Sequence, residues 1–325
     1  MQKFKFLTHE NRDAYFNIAS EEYLLKHTDG YYIYLWINDP AVIVGVNQNA
    51  IEEVNLSFTD SNGIKVVRRM TGGGAVYHDG GNLCYTVIAP YDSEKDNYRA
   101  FTAPVIKYLN SLGVKAEFSG RNDIVIGGQK ISGNAQTVYK DRIMHHGTLL
   151  FDADFKPLEM ALKPSKLKIE SKGIKSVRAR VTNIKEHLKT PMTMEEFKNK
   201  LAEEFKNDCD EYEFNESDLE KIKKLVDEKY SRYEWNIGSS PKGKNNFTKK
   251  ISFGIFSLSF DTEKGLIKNA SITGDFFSLR DVKEFEAKLD GVKFEKGELE
   301  KVFASISDYI FKADSKLILD AMFTK

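Results

Sequence analysis

Cysteine is scarce in this chain of 325 residues, which contains only Cys84 and Cys209. Two cysteines cannot supply the set of disulfides that stabilises many small secreted domains, so we expect a protein of a reducing compartment, the cytoplasm. The first residues, MQKFKFLTHENRD, lack the apolar core of a signal peptide. No apolar run in the sequence approaches the roughly 18 residues that would indicate a membrane span.

An excess of charge of either sign is also absent, because 48 Lys and Arg residues balance 48 Asp and Glu residues. This balance gives no support to a protein that binds nucleic acid or anionic membranes through net positive charge. The composition, 41% hydrophobic and 30% charged, is that of an ordinary globular protein. Because 325 residues are many for one domain, we expect two.

Apolar periodicity predicts an α/β (α+β) fold, in which helices pack against a predominantly β core. Helical patterns cover residues 12–27, 98–112, 194–205 and 217–232. Strand-like runs cover residues 4–7, 31–37, 41–46, 114–118, 123–127, 130–138 and 143–151. Gly127 and Gly128, which separate two of these runs, predict a tight hairpin turn.

A small α+β domain is predicted at the C-terminal end of the chain. The polar stretch GSSPKGKNN at residues 238–246 is typical of a linker. We therefore expect one domain at residues 1–240 and a second, smaller one at residues 247–325. Apolar residues alternate along 251–260 but change phase midway, which predicts one strand with a bulge.

The most informative segment is VRRMTGGGAVYHDGGN at residues 67–82. Arg68 and Arg69 lead into three consecutive glycines, Gly72–Gly74, and strand-like runs lie on both sides. Glycine allows the backbone to approach a ligand closely, and successive N–H groups in such a loop form a concavity for an anion. Arginine binds phosphate or carboxylate through a planar fork of donors. The segment indicates an anion site, most simply for phosphate, although a flexible surface turn has the same residue types.

Two later segments contain further candidates. In GRNDIVIGGQKISGNAQ, residues 120–136, Lys130 follows a glycine turn. It could direct a compact positive charge into a pocket, or it could be a solvated hairpin lysine. Asp123 could cap a turn or pair with a cation. In KGIKSVRARVTN, residues 172–183, the basic residues lack a clear period, which is typical of a loop that closes over a ligand or of a solvated connector.

His145 and His146 are adjacent on a predicted strand. Their side chains should point to opposite faces, so they form a poor metal pair, and we expect one to line a pocket and the other to be structural. Cys84 and His78 could form a nucleophile and its base. A buried cysteine without a chemical role is the simpler interpretation of Cys84 in the strand NLCYTV.

Four segments resemble the motifs of one known family. RRMTGGGAVYHDGGNLCYT, GRNDIVIGGQKISGNAQ, HHGTLLFDAD and KGIKSVRARVTN occur here in this order, and together they closely resemble the motifs of lipoate–protein ligase A. The resemblance implies the fold shared by biotin and lipoate ligases, a mixed β-sheet core flanked by helices. A small C-terminal α+β domain also belongs to that family's plan.

The resemblance also implies a reaction. Lipoate and ATP, with Mg²⁺, would give lipoyl-AMP and pyrophosphate, and the ε-amine of a lysine on a lipoyl carrier domain would then displace AMP. The implied acceptors are the lipoyl domains of 2-oxoacid dehydrogenase complexes and the glycine-cleavage carrier protein. Neither nucleic acid nor a membrane is an implied partner, and Mg²⁺ is expected to enter with the ATP phosphates.

Site residues follow from the match to the motifs. According to the resemblance, the residues that contact ATP or the adenylate are Arg69, Gly74, Ala75, Val76, Tyr77, Lys130, Arg178 and Val181. The residues that contact lipoate are Arg68, Gly73, Gly74, Lys130 and His146. Lys130 is the candidate catalytic residue, because it would contact both the lipoyl carboxyl group and the nucleotide. We also expect an apolar tunnel for the lipoyl chain, with strand residues such as Val44 and Val76 in its walls.

Met70 departs from the pattern, because the family often has a third basic residue after the arginine pair. The change would either loosen nucleotide contact or merely remove a surface charge. Three other activities compete with the ligase. An ATP-independent octanoyl or lipoyl transferase would use Cys84 as a thioester nucleophile. A biotin ligase is disfavoured by the absence of a GRGRxG-type loop, and a protein that only binds is disfavoured by the charged groups present.

Overall fold

The computed structural model describes residues 3–94, 97–162, 180–206, 209–238, 245–263 and 266–323. The strands within these ranges are β1 (Phe4–Thr8), β2 (Tyr31–Ile37), β3 (Ala41–Val44), β4 (Lys65–Arg68), β5 (Val76–His78), β6 (Asn82–Pro90), β7 (Ala116–Ser119), β8 (Asp123–Ile126), β9 (Gln129–Tyr139), β10 (Arg142–Leu150), β11 (Cys209–Glu211), β12 (Asn245–Ile251), β13 (Gly254–Glu263) and β14 (Leu266–Gly274).

The α-helices are α1 (Ala14–Lys26), α2 (Ala50–Glu53), α3 (Leu56–Ser61), α4 (Asn97–Ser111), α5 (Phe155–Ala161), α6 (Met194–Lys206), α7 (Glu216–Leu225), α8 (Val282–Leu289), α9 (Lys296–Phe303) and α10 (Ser315–Phe323). Helix α7 continues into a π-helical segment, Val226–Tyr230, and a second one covers Glu234–Gly238. In the part of the chain that the structure describes, no helix combines the length and apolar character needed to cross a membrane.

The main sheet has eight strands in the order β11-β1-β2-β6-β10-β9-β8-β7. Strand β1 runs parallel to both of its neighbours, whereas the other neighbours pair antiparallel. The predicted mixed sheet is therefore confirmed. The predicted glycine hairpin is also present, since Gly127 and Gly128 have φ of 55° and 82° and lie between the paired residues Ile126 and Gln129.

The central strand β6 is buried on both faces because helices cover the sheet on each side. Leu83, Tyr85 and Val87 pack in the cluster that contains residues of α4 and α6. Cys84 and Ile88 pack in the cluster that contains residues of α1 and α7. Successive side chains of a strand point to opposite faces, and burial of both faces produces a nearly continuous apolar run.

Helix α1 carries buried polar residues as well as apolar ones. Asp13 caps its first turn, where the carboxylate accepts hydrogen bonds from the N–H groups of Tyr15 and Phe16. Glu21 and Glu22 are buried in the middle of the helix, because β4 and α7 pack against α1 in addition to the main sheet. A buried carboxylate requires a hydrogen-bonded partner, and the partner of Glu21 lies in the site.

A second sheet, of three strands in the order β4-β3-β5, presents the glycine-rich loop. Strand β3 is parallel to β4 and antiparallel to β5, and residues 69–75 connect β4 to β5. The prediction of a loop between two strands is confirmed. Helices α2 and α3, between β3 and β4, were not predicted, because runs of four and six residues are too short to show a helical period.

The C-terminal region forms an antiparallel sheet in the order β12-β13-β14, against which α8, α9 and α10 pack. The prediction of a single bulged strand along 251–260 is wrong. Strand β12 ends at Ile251, β13 begins at Gly254, and these two residues pair, so a hairpin turn causes the phase change. A bulge lies further on, between Ser259 and Asp261.

The expected linker, residues 238–246, is only partly covered by the structure. Residues 239–244 lie outside the described ranges, and Asn245 and Asn246 belong to the first strand of the C-terminal sheet. The hydrophobic cluster of the C-terminal region contains buried residues from Phe253 to Leu319 and none from the preceding part of the chain. This region therefore has a core of its own.

Candidate active site

A cavity of about 150 Å³ lies between the main sheet, helix α1 and the glycine-rich loop. Its apolar lining residues are Ile18, Trp36, Ile43, Ala75, Val76 and Ala135. Its polar and charged lining residues are Arg69, His78, Cys84, Asn122, Lys130, Asn134, His146 and Thr148. The cavity combines apolar walls with two strongly basic side chains, so it suits a ligand that has an apolar chain and an anionic group.

The expectation that Val44 lines an apolar tunnel is wrong, whereas Val76 does line the cavity. Val44 belongs to a separate core cluster with Val42 and Tyr77. Ile43, which lies between Val42 and Val44 in the sequence, lines the cavity instead. This follows from the two-residue period of strand β3, in which neighbours face opposite sides.

The buried side chain of Arg69 holds the glycine-rich loop. Its Nη2 donates to the carbonyl oxygens of Gly72 at 2.6 Å and Gly74 at 2.9 Å. Its Nη1 donates to the carbonyl of Ile43 at 3.1 Å, and its Nε donates to Oγ1 of Thr71 at 2.8 Å. Burial lowers the pKa of Arg69 to about 10, so the guanidinium is still protonated at neutral pH.

The three glycines of the loop have different surroundings. Gly73 has φ of 90°, which favours glycine. A β-carbon on Gly72 would lie 2.4 Å from the carbonyl oxygen of Phe276 in the C-terminal region, and the N–H of Gly73 donates to that oxygen at 3.2 Å. A β-carbon on Gly74 would meet no atom within 4 Å. Gly74 therefore presents open backbone to the cavity that it lines.

Arg68 is oriented differently and does not line this cavity. Its guanidinium donates to the backbone carbonyls of Gly45, Val46, Gln48, Trp235 and Asn236, at distances from 2.6 to 3.1 Å. These bonds join the end of β4 to the π-helical segment Glu234–Gly238. Since five carbonyls surround the guanidinium, we do not assign Arg68 to the ligand.

Lys130 lines the cavity, and its Nζ lies 2.7 Å from Oδ1 of Asp123. A β-carbon on Gly133 would lie 2.7 Å from that Nζ, so glycine at this position leaves room for the ammonium group. The backbone of Lys130 also bonds to the basic segment: its N–H donates to Arg180 O at 2.8 Å, and its carbonyl accepts from Thr182 N at 3.1 Å.

The basic segment 172–183 is described only from residue 180 onward. Val181 forms a parallel β-bridge with Lys130, which brings one of the two expected nucleotide-contacting residues of this segment next to the candidate catalytic lysine. Arg178 lies outside the described residues, so its expected role stays a prediction.

The two adjacent histidines point to opposite faces of β10, as predicted. His145 is fully buried, its Nδ1 lies 2.9 Å from Nε2 of Gln136, and burial lowers its pKa to about 3. His146 lines the cavity. Its Nε2 lies 2.8 Å from Oγ1 of Thr71, and its Nδ1 lies 2.9 Å from Oε1 of Glu21.

Glu21 and Thr71 were not identified from the sequence. Each is 1% exposed, so both are parts of the protein interior that border the cavity residues. The one signal for Glu21 was its place among polar residues of a largely apolar helix: it follows Ser20 and comes four residues, about one turn, after Asn17. Thr71 stands between the arginine pair and the glycines, and no sequence pattern distinguishes it from the rest of the loop.

Cys84 lies in the cavity wall with its Sγ 3.6 Å from Nδ1 of His78. Burial raises the pKa of the thiol well above its usual value and lowers the pKa of His78 to about 3. Nδ1 of His78 also lies 3.1 Å from Nδ2 of Asn38, an amide nitrogen that can only donate. That ring nitrogen is thus occupied as an acceptor and cannot take the thiol proton.

The comparison with known proteins decides the family. Residues 13–206 match the family model of the lipoyl protein ligase A/B catalytic domain, and residues 240–322 match that of the bacterial lipoate protein ligase C-terminus. This chain belongs to the lipoate–protein ligase family. The resemblance seen in its sequence motifs is confirmed.

One relative and two solved structures cover between 73% and 98% of this chain. The lipoate–protein ligase LplJ of Bacillus subtilis is 45% identical over 311 residues, which are 93% of this chain and 94% of the relative. The crystal structure of LipL1 of P. falciparum in complex with lipoate has a TM-score of 0.78 at 27% identity, and covers 98% of both chains. A crystal structure of lipoate-protein ligase A bound with ATP has a TM-score of 0.63 at 29% identity, and covers 73% of this chain and 98% of that one.

Met70 is the residue expected to depart from the family motif. Its side chain is partly buried and packs against the cluster of residues on the α1 side of the main sheet. It does not line the cavity. The methionine therefore contributes apolar packing, and a basic side chain with the same direction would have to be desolvated.

Carboxylates near the cavity do not form a preassembled Mg²⁺ site in the described residues. Within the described ranges no group of three or more His, Cys, Asp and Glu residues is arranged to bind a metal ion. Asp123, beside the cavity, is paired with Lys130. Mg²⁺ commonly binds through one or two carboxylates together with substrate phosphates. A single carboxylate such as Asp123 beside the cavity fits an ion that is held mainly by nucleotide phosphates.

Proposed function

We propose that this chain activates lipoate with ATP and transfers the lipoyl group to a lysine of a carrier domain, and that Arg69, the glycine-rich loop and Lys130 form its adenylation site. One observation carries the assignment of the site: a buried arginine, open glycine backbone and a lysine meet at a cavity with apolar walls. Lipoate has the matching parts, because it combines an apolar chain with a carboxylate.

In the first step, a carboxylate oxygen of lipoate attacks the α-phosphorus of ATP. The bond from that phosphorus to the bridging oxygen breaks, pyrophosphate leaves, and lipoyl-AMP forms. Negative charge develops on the phosphoryl oxygens. The Lys130 ammonium and the N–H of Gly74 stabilise this charge. The loop that carries Gly74 is already held by Arg69, whereas Lys130 exchanges its partner Asp123 for the reacting anion.

In the second step, the amine of the acceptor lysine attacks the carbonyl carbon of the mixed anhydride, and AMP leaves. The reaction needs no covalent intermediate on the enzyme. This agrees with the raised thiol pKa of Cys84 and with the occupied acceptor nitrogen of His78. An acyltransferase that works through Cys84 is therefore not favoured.

The remaining contacts are proposed from the match to the family motifs. Gly74, Ala75 and Val76, which line the cavity, would offer backbone to the nucleotide, with Tyr77, Arg178 and Val181 as the further residues of that set. Tyr77 packs in a separate core cluster beside β3 and does not line the cavity. Gly73 and His146 would contact the lipoyl group together with Lys130. The acyl chain packs on the apolar wall that includes Ile18, Trp36 and Ile43. Arg68 contributes through its hydrogen bonds to backbone carbonyls, which join the end of β4 to the segment Glu234–Gly238.

Mg²⁺ would be held mainly by the ATP phosphates and would neutralise part of their charge. The carrier partners we propose are the lipoyl domains of 2-oxoacid dehydrogenase complexes and the glycine-cleavage carrier protein. Cys84 and Cys209 form no disulfide in the described part of the chain, which supports a reaction in the cytoplasm. We further propose residues 1–240 as the catalytic domain and 247–325 as the accessory domain, supported by the separate C-terminal core.

The test is mass spectrometry of a purified lipoyl domain after incubation with the protein, lipoate, Mg²⁺ and ATP. We expect a mass gain of one lipoyl group that disappears when ATP is omitted or when the acceptor lysine is replaced. A second reaction replaces lipoate and ATP by an octanoyl or lipoyl group already bound to a carrier domain, whose release would balance the transfer. An acyl gain from that donor without ATP, together with no gain from lipoate and ATP, would overturn the ligase assignment, and its loss in Cys84→Ser would establish the acyltransferase.

A further inference from the structure

We infer that Glu21 is a positioning residue, which acts through His146 and Thr71 to hold Arg69 and thereby the shape of the glycine-rich loop. The inference rests on the proposed function, because it gives a role to residues behind the adenylation site. Glu21 does not line the cavity, so its effect on the reaction must pass through these neighbours.

The four residues form a continuous buried chain of hydrogen bonds. Glu21 Oε1 lies 2.9 Å from Nδ1 of His146, and Nε2 of His146 lies 2.8 Å from Oγ1 of Thr71. The same Oγ1 lies 2.8 Å from Nε of Arg69. The most exposed member, His146, is 8% exposed. Solvent therefore offers little competition for these bonds.

The end groups set the direction of the first and last bonds of this chain, and the Thr71 hydroxyl sets the middle one. Nε of Arg69 can only donate, so Oγ1 of Thr71 accepts there. The single hydrogen of Thr71 is satisfied when it is given to Nε2 of His146, 2.8 Å away. Nε2 is then an acceptor, and the neutral ring carries its hydrogen on Nδ1. That hydrogen is donated to Glu21. The chain runs in one direction, from the arginine to the carboxylate.

A second directed chain ends on the same carboxylate. Nε1 of Trp36 donates to Oγ1 of Thr86 at 3.0 Å, and the Thr86 hydroxyl donates to Oε1 of Glu21 at 2.6 Å. Trp36 belongs to the cavity wall. Glu21 is thus the common acceptor for a bond path to the apolar wall and a path to the glycine-rich loop. Both neighbours donate to Oε1, and Nδ1 of His146 also lies 3.1 Å from Oε2. A carboxylate accepts at both oxygens, whereas an amide would place an NH₂ donor at one of them.

A change at Glu21 has a defined consequence at the loop. In Glu21→Gln, an amide NH₂ turned toward His146 forces the ring hydrogen from Nδ1 to Nε2, where it faces Thr71. Oγ1 of Thr71 would then receive hydrogens from both neighbours, and its own hydrogen would lose its acceptor. The contact that fixes Nε of Arg69 then weakens. Because the same guanidinium holds the carbonyls of Gly72 and Gly74, the glycine-rich loop loses part of its fixed shape.

Glu22 provides a matched control on the same helix. It is also a buried carboxylate, at 5% exposure, but it pairs with Lys229 and Tyr230 and not with any cavity residue. The experiment compares Glu21→Gln with Glu22→Gln in lipoate-dependent pyrophosphate release at varied ATP. Thermal unfolding of each variant is measured in parallel. Both substitutions remove one buried charge, so both should lower the unfolding temperature.

We expect Glu21→Gln to lower kcat/KM for ATP about tenfold, the size of change that follows from losing one charge-assisted hydrogen bond. Glu22→Gln should stay within about twofold of the unaltered protein in kcat/KM. Thr71→Val should reproduce the loss in kcat/KM, because it removes the hydroxyl group. Thr71→Ser keeps the hydroxyl group and should therefore retain the activity of the unaltered protein. Equal losses in both glutamate variants, or unchanged kinetics in Glu21→Gln and Thr71→Val, would overturn the inference.

Two readouts judge the inference without turnover. Nitrogen NMR of the unaltered protein should show the His146 hydrogen on Nδ1, and in Glu21→Gln on Nε2. Hydrogen exchange at residues 72–76 should be faster in Glu21→Gln than in Glu22→Gln. If the unaltered protein releases no pyrophosphate, the proposed function fails while these two measurements still decide the chain of bonds. A ring hydrogen on Nε2 in the unaltered protein would refute it.

Discussion

The guanidinium groups of Arg68 and Arg69 lie on opposite sides of the end of strand β4. The Arg69 fork holds the carbonyls of the glycine-rich loop, and the Arg68 fork is surrounded by carbonyls from the 45–48 turn and the 234–238 segment. Adjacent residues of a strand point to opposite faces. The pair is therefore not a double cation for one anion, and the two positions should respond differently to substitution.

Replacing each arginine by lysine separates the two roles. A lysine keeps the charge but cannot form the fork. We expect Arg69→Lys to lower kcat/KM for ATP at least about tenfold, as the loop loses its fixed shape. Arg68→Lys should reduce the free energy of unfolding by about 3 kcal/mol, because several buried carbonyls lose their donors, with kinetics of the folded fraction unchanged. Steady-state kinetics and urea unfolding check both, and a kinetic defect of equal size in Arg68→Lys would contradict the assignment.

Gly74→Ala tests whether ligand passes close to the loop. The added β-carbon meets no protein atom within 4 Å, so the free energy of unfolding should change by less than about 0.5 kcal/mol. A nucleotide against this backbone would meet the methyl group, and KM for ATP should rise about tenfold. Gly73→Ala is the comparison, since its φ of 90° makes that substitution destabilising in the free protein. An unchanged KM in Gly74→Ala would exclude Gly74 from the nucleotide site.

Lys130→Ala should abolish lipoate-dependent pyrophosphate release while leaving the fold intact. The ion pair with Asp123 has side chains that are 35% and 37% exposed, and such pairs contribute at most about 1 kcal/mol. We expect a rate loss above about a hundredfold, because a positioned cation is removed from the developing charge. Lys115→Ala, at an exposed lysine before β7, is the control. Adenylate formation that remains undiminished would refute the role of Lys130.

Cys84→Ala should preserve an ATP-dependent reaction. The thiol is buried, its pKa is raised, and the nearby His78 nitrogen is occupied. Loss of the sulfur leaves a small cavity, so we expect a modest fall in the unfolding temperature and kcat within about threefold of the unaltered protein. Lipoyl transfer is followed by gel shift or mass of the acceptor domain. A complete loss of transfer in a folded variant would show that the sulfur takes part in the chemistry.

Stability should fall as the pH falls below 6.5. Burial lowers the pKa of His78 and of His145 from 6.5 to about 3, so between these values the unfolded chain binds more protons than the folded one. Their contribution is complete above pH 6.5 and is lost through this window, at about 1.4 kcal/mol per pH unit for each histidine. Urea unfolding at pH 7.5, 6 and 5 measures the slope. His145→Asn should reduce the slope of unfolding free energy against pH by the contribution of one histidine. An unchanged slope would exclude burial of His145 as a cause of the pH dependence.

Several parts of the site could be predicted because their signals are local. The triple glycine, Lys130 after its glycine turn and the opposite faces of His145 and His146 all follow from short stretches of sequence. The identity of the reaction came from the family resemblance of four motifs in order. Residue types and spacing alone indicated no more than an anion site.

Other parts depend on tertiary packing and could not be predicted. The direction of Arg68 depends on the carbonyls of Trp235 and Asn236, which come about 170 residues later in the chain. The role of Glu21 depends on the strand that carries His146. The phase change near Ile251 was ambiguous for a different reason, since a bulge and a two-residue hairpin both shift an alternating pattern by one position.

The hydrogen bond from the N–H of Gly73 to the carbonyl of Phe276 makes the C-terminal region an internal competitor for the ligand. A phosphate oxygen that accepts from this N–H has to displace the carbonyl first. Because both partners belong to one chain, the carbonyl competes at an effective concentration on the order of millimolar. The apparent affinity for any ligand that uses this donor is reduced accordingly, and supplying the C-terminal region as a separate chain at micromolar concentration would relieve most of that competition.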